Sequence, residues 1–108
     1  ANRSAYLEAN DLVSLVEKDS EFHEILYRSS RNQRLIQILS NLREQINRFR
    51  AVSLASPGRG REALEEHKKI VEAISARDPE MAQRLGQEHI ENAENALLNN
   101  MKNLDFLE

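Results

Sequence analysis

The chain contains no cysteine, so neither a disulfide framework nor a thiolate metal site can form, and any transition-metal site must be built from His, Asp and Glu. The same absence fits a cytoplasmic setting. Glycine and proline are scarce, three and two residues, while 40% of the chain is hydrophobic and 31% charged. That composition excludes disorder and describes a folded, helix-rich soluble protein. No apolar stretch approaches the ~20 residues needed to cross a bilayer, and the first residues carry neither a charged n-region nor an apolar h-region. No membrane partner is expected. A length of 108 residues leaves room for a single domain, 1–108, and for no second module.

The net charge of −3 argues against a sequence-independent phosphate binder. The charge is nevertheless unevenly placed. Arg28, Arg31, Arg34, Arg43, Arg48, Arg50, Arg59 and Arg61 fall in one stretch whose only acid before Arg61 is Glu44. Two readings stand side by side: a solvated arginine face that supports helicity and solubility, or a locally positive wall for an anionic ligand.

What the chain does have is helical periodicity. Leu12, Leu15, Val16, Phe22, Ile25 and Leu26 recur at spacings of three and four, marking one face of an amphipathic helix with Asn10 or Asp11 as its cap. Ser29 to Asn32 interrupt the pattern. Asn32 is suited to cap a second helix that carries Leu35, Leu39, Leu42, Ile46 and Phe49 on one stripe and runs to about Val52. Ser56-Pro57-Gly58-Arg59-Gly60 is a strong breaker, read as a loop within one domain, before a third helix with Leu64, Ile70, Val71 and Ile74. Asp78-Pro79-Glu80 starts a long last helix: Asp caps, Pro loses nothing at the first position, and Glu favours the positive helix end. That helix is expected to reach Asn99 or beyond. Ala1 to Ala9 read as the tail of another helix.

Three helices place polar ligands on their apolar stripes. Asp19 and His23, four apart, share the face of Leu12, Leu15, Val16 and Leu26. His67 is in register with Leu64, Val71 and Ile74, and His89 with Ala82, Leu85, Ala93 and Ala96. A single histidine on such a stripe is more often a hydrogen-bonded core residue than a ligand. A carboxylate and three imidazoles directed inward together are different, because their burial costs several kcal/mol unless something satisfies them all. A divalent cation does so in one step. Ligation at about 2.0–2.2 Å by such a set suits Zn²⁺ and is acceptable to Ni²⁺, Fe²⁺ or Mn²⁺. Three His and one Asp leave positions open on a six-coordinate metal, which a carboxylate ligand can complete.

Other uses of the same residues stay open. A small metallohydrolase would activate water on such a metal, although Glu66 and Glu88 lie about 100° around their helices from the metal-facing direction and supply no obvious general base. A di-iron bundle needs Glu-x-x-His pairs, and the residues three before the histidines are Ser20, Leu64 and Gly86. A purely structural metal staple is the third alternative.

Asp19-x-x-Phe22-His23, Ser30-x-Asn32-x-x-Leu35, Glu66-His67-x-x-Ile70 with Ala73-Ile74 and Asp78, and then His89-Ile90 follow in an order and spacing that resembles the C-terminal effector-binding domain, the FCD domain, of the FadR subgroup of GntR-family transcription regulators. The resemblance spans about Leu12 to Leu97. It implies an all-α antiparallel helical bundle of six or seven helices with an interior effector pocket, following an N-terminal winged helix-turn-helix domain that binds operator DNA as a homodimer. In metal-binding members of that subgroup an Asp and three His hold a divalent metal that helps bind a small organic-acid effector; those positions match Asp19, His23, His67 and His89. Zn or Ni are the foremost candidates, with Mn or Fe also acceptable.

Against that pattern the chain is expected to be truncated at its N-terminal side, without the winged-helix domain and without the first helix of the effector domain, where members often carry an arginine facing the pocket. Operator DNA would then be contacted only through the missing domain. Arg43 and Arg50 flank the stripe of Leu39 and Ile46 and are the candidate partners for an effector carboxylate, with a solvated role as the alternative. Asn32 matches the family's Asn, and its cap role suffices to explain it, with a pocket role as the further candidate. The expected function is ligand sensing in a regulator, not catalysis.

Overall fold

A computed structural model describes residues 12–105, and side chains up to residue 102; the expected helix tail at Ala1 to Ala9 and the cap at Asn10 or Asp11 lie outside the described residues. Among the described residues the protein is all-α: α1 (Leu12–Ser29), α2 (Gln33–Asn41), α3 (Arg43–Leu54), α4 (Arg59–Ser75) and α5 (Pro79–Asp105). Two compact units divide within α3, residues 1–51 and residues 52–108. Among the described residues, no helix is long and apolar enough to cross a membrane.

In the first unit α1 packs against α2. Helix α1 stops where the periodicity fails: Arg31 adopts a left-handed φ of 56° just past the helix end, the position at which an αL residue ends a helix. Asn32 then caps α2, its side-chain oxygen accepting from the Leu35 amide at 3.0 Å. The single second helix expected from the sequence is two. Leu42 leaves helical geometry at φ −95°, ψ 2°, although the Leu42 amide still donates to Ile38 and the Ile46 amide to Leu42. The break shifts the phase of the stripe, so Leu39 and Ile46 are half-buried while Leu35, Leu42 and Phe49 are exposed.

In the second unit α4 packs against α5, the two joined by a tight corner. Gly58, at φ 79°, takes the left-handed conformation that opens α4, where a side chain would strain the backbone. The corner between α4 and α5 closes with the Asp78 amide on the Ala73 carbonyl and the Arg77 amide on the Ile74 carbonyl, both at 3.0 Å, the paired bonds of a Schellman motif. Asp78 then caps α5 by accepting from the Met81 amide at 3.1 Å. Ser53 Oγ donates to the Ala93 carbonyl at 2.9 Å and Asn100 Nδ2 to the Val52 carbonyl at 2.8 Å, which fixes the start of the unit along α5.

The buried face of α4 differs from the expected stripe. Ala63, His67, Ile70 and Ala73 are buried, whereas Leu64, Val71 and Ile74 are exposed by about half. Helix α4 turns its small residues inward, and alanines on a helix face let a neighbouring backbone come close where leucines would hold it away.

Candidate metal and effector site

Helix α1 places Asp19 and His23 one turn apart, and both are enclosed. The Asp19 side chain is 10% exposed and that of His23 8%, with His23 Nε2 3.6 Å from Asp19 Oδ2. Phe22 meets the His23 ring edge-on at 5.4 Å between centroids, and Tyr27 lies on its other neighbour position along the helix at 6.1 Å. The expectation that both polar groups share the inward side of α1 therefore holds for burial, although Ile25 on the same helix is exposed.

Arg50 of α3 reaches this pair. Its Nε is 3.3 Å from Asp19 Oδ2, its Nη2 donates to the Tyr27 hydroxyl at 2.9 Å and its Nη1 to Asn47 Oδ1 at 3.3 Å. Arg43 instead pairs with Glu24 at 2.9 Å and is mostly exposed. Both arginines border a shallow cleft with Tyr27, Leu39 and Ile46. Asn32 lies at the surface, engaged as the α2 cap.

In the second unit, α4 and α5 bring His67 and His89 together. Their rings lie 4.8 Å apart in an edge-to-face arrangement, and both residues are buried. His89 is held from the side. Its Nδ1 lies 2.7 Å from Glu66 Oε1, and Glu66 is in turn gripped by Arg59, whose Nη1 and Nη2 donate to its two carboxylate oxygens at 2.9 and 2.8 Å. Asn92 Nδ2 adds a further bond to Oε2 at 2.9 Å. Arg59 is 3% exposed, unusual for an arginine and sustained here by a bidentate partner.

The electrostatics of this cluster have a clear sign. Burial alone would push the Glu66 carboxyl up, but hydrogen bonds from Arg59, His89 and Asn92, with the charge of Arg59, outweigh it and hold the group down to about 2 from 4.5. Glu66 is thus a carboxylate with no proton to give. The short contact to His89 requires a hydrogen on Nδ1, since an ionised carboxylate only accepts.

Sequence reasoning missed Arg59 and Glu66. The arginine stretch leaves Arg59 open between a solvated face and a positive wall for an anion, and the angle of Glu66 around α4 argues only against its use as a general base on the metal. The angle is correct for α4, yet the side chain reaches across to α5. A usable signal was present: Arg59, Ala63, Glu66 and Ile70 follow the three- and four-residue steps of one helix face.

Residues 2–92 match the model of the FCD domain. The chain belongs to the FCD domain family. This agrees with the resemblance to the C-terminal effector-binding domains of GntR/FadR-type regulators, and it makes the chain a regulatory, effector-binding domain. No curated protein and no solved structure matches it. The all-α architecture of the described residues is that of an FCD helical bundle.

Proposed function

We propose that this FCD domain senses a small organic acid through a divalent metal, Zn²⁺ or Ni²⁺ foremost, held by Asp19, His23, His67 and His89. In the full-length regulator, a cytoplasmic homodimer, effector binding would change the operator affinity of the winged-helix domain by favouring one arrangement of the dimer over another. The observation that carries the metal reading is the Glu66–His89 pair beside His67. A carboxylate behind an imidazole, with a second imidazole next to it, is the outer support that metal-ligating histidines have. The donor chemistry fits as well: neutral imidazoles and one carboxylate suit a borderline cation.

Bound there, a dication supplies positive charge and open coordination positions for carboxylate oxygens. Arg50, which spans Asp19 and Tyr27, would receive the effector's carboxylate, with Arg43 on the border of the same cleft. The state of Glu66 counts against a hydrolase, because a carboxyl held to about 2 is a weak general base near neutral pH.

Elemental mass spectrometry on the purified domain tests the metal. About one metal per chain is expected in the wild type, with strong loss in His67→Ala and in His89→Ala at unchanged helix content, since each helix keeps its other anchors. Equal metal content in wild type and both variants would sink the ligand assignment. A panel of small carboxylates then tests the sensor: a rise in melting temperature of the metal-loaded protein supports it, and no rise with any of them leaves a metal staple.

A further inference from the structure

We infer that Glu66 is a positioning residue: clamped by Arg59, its carboxylate holds His89 as the tautomer protonated at Nδ1, so that Nε2 carries the lone pair for ligation. The inference rests on the reading of His89 as a metal ligand. A histidine offers only one ring nitrogen to a metal while the other keeps its hydrogen, and the hydrogen-bond partner of the second nitrogen decides which is which. Here that partner is an anion 2.7 Å from Nδ1.

The geometry shows why the carboxylate stays in place. Both of its oxygens accept from the Arg59 guanidinium, and Oε2 also accepts from Asn92, so rotation about the last side-chain bond would break several bonds at once. Arg59 is itself anchored, since its Nη2 also lies 3.5 Å from the His89 carbonyl. Arg59 and Glu66 stand two turns apart on α4, and α5 supplies the ring. The support for one ligand of α5 is therefore built into the helix that carries His67.

The test uses the chelator-treated domain labelled with ¹⁵N at histidine, read by NMR, followed by Zn²⁺ affinity from competition with a chromophoric chelator. In the wild type, His89 should show a protonated Nδ1 and an unprotonated Nε2. In Glu66→Leu, and in Arg59→Met/Glu66→Leu, which leaves no buried guanidinium without its partner, the tautomer preference should be lost and Zn²⁺ affinity should fall roughly 10–100-fold, with circular dichroism unchanged in the double variant. A wild-type His89 protonated at Nε2 overturns the inference without need of any variant, as does a Glu66→Leu chain that binds Zn²⁺ as tightly as wild type. A wild-type chain with Nδ1 protonated that takes up no Zn²⁺ overturns the metal reading instead, leaving the hold of Glu66 on the ring intact.

Discussion

Among individual residues, the arginines show most sharply what a sequence discloses. Arg43 and Arg50 lie seven apart on the same helix, yet one is mostly exposed and paired with Glu24 while the other is enclosed between Asp19 and Tyr27. Arg59 departs furthest from expectation because its burial depends on a carboxylate seven residues on and a backbone carbonyl thirty residues on, neither of which local charge patterning reveals. Its removal has a definite cost. Arg59→Met takes away the guanidinium but leaves the Glu66 carboxylate partly buried, and should destabilise the domain by about 2–3 kcal/mol, below the 3–5 typical of a fully buried broken pair. Adding Glu66→Leu should recover most of that loss, because a pair replaced by apolar groups leaves no orphaned charge. Urea unfolding of the single and double variants measures both effects; a double variant no more stable than Arg59→Met would contradict this account. The inward placement of the three histidines was legible, because residue type and helical register together mark it and His23, His67 and His89 are all buried. Their supports were not, since a hydrogen bond between α4 and α5 has no trace in either helix alone.

For the helices, the boundaries that depend on local chemistry were readable. Asn32 caps α2 and Asp78 caps α5 as their residue types suggest, and Pro79 stands first in its helix. Asp78→Ala should cost about 1 kcal/mol by leaving the Met81 amide without its acceptor. Thermal melts should show the loss, while Asp78→Asn, which keeps an oxygen in position, should lie close to wild type; equal melts for all three proteins would remove the cap from the account. The features that depend on neighbours were not readable. The break at Leu42 follows Ser40 and Asn41, residues that favour caps and turns, but the apolar spacing runs on across it and hides the signal. Likewise Leu64, Val71 and Ile74 form a regular apolar row that the periodicity argument takes as the inner one, whereas α4 turns inward the face with Ala63 and Ala73. A hydrophobic stripe identifies a face that can be buried; which of two candidate faces is buried depends on how closely the neighbouring helix approaches.

For the molecule as a whole, composition and charge settle the class, an all-α domain without thiol chemistry, and the family match places it among effector-binding domains. Its stability should carry the signature of Glu66. A carboxyl whose folded-state value lies below its ordinary 4.5, at about 2, favours the folded chain fully above pH 4.5 and loses that contribution as pH falls toward 2. Chelator-treated wild type should therefore lose its advantage over Glu66→Gln as urea midpoints are followed downward from about pH 5 to about pH 3, over the interval between the two values. A constant gap across that range would mean that Glu66 is not held ionised. The position of Arg59 has a further consequence for motion. The opening turn of a helix ordinarily frays, its amide hydrogens exchanging with solvent deuterium through small local openings. Arg59 is the first residue of α4, and its side chain is tied to Glu66 two turns further on, so this end opens only together with the second turn, and exchange at residues 60–63 becomes a cooperative event shared with the middle of the helix.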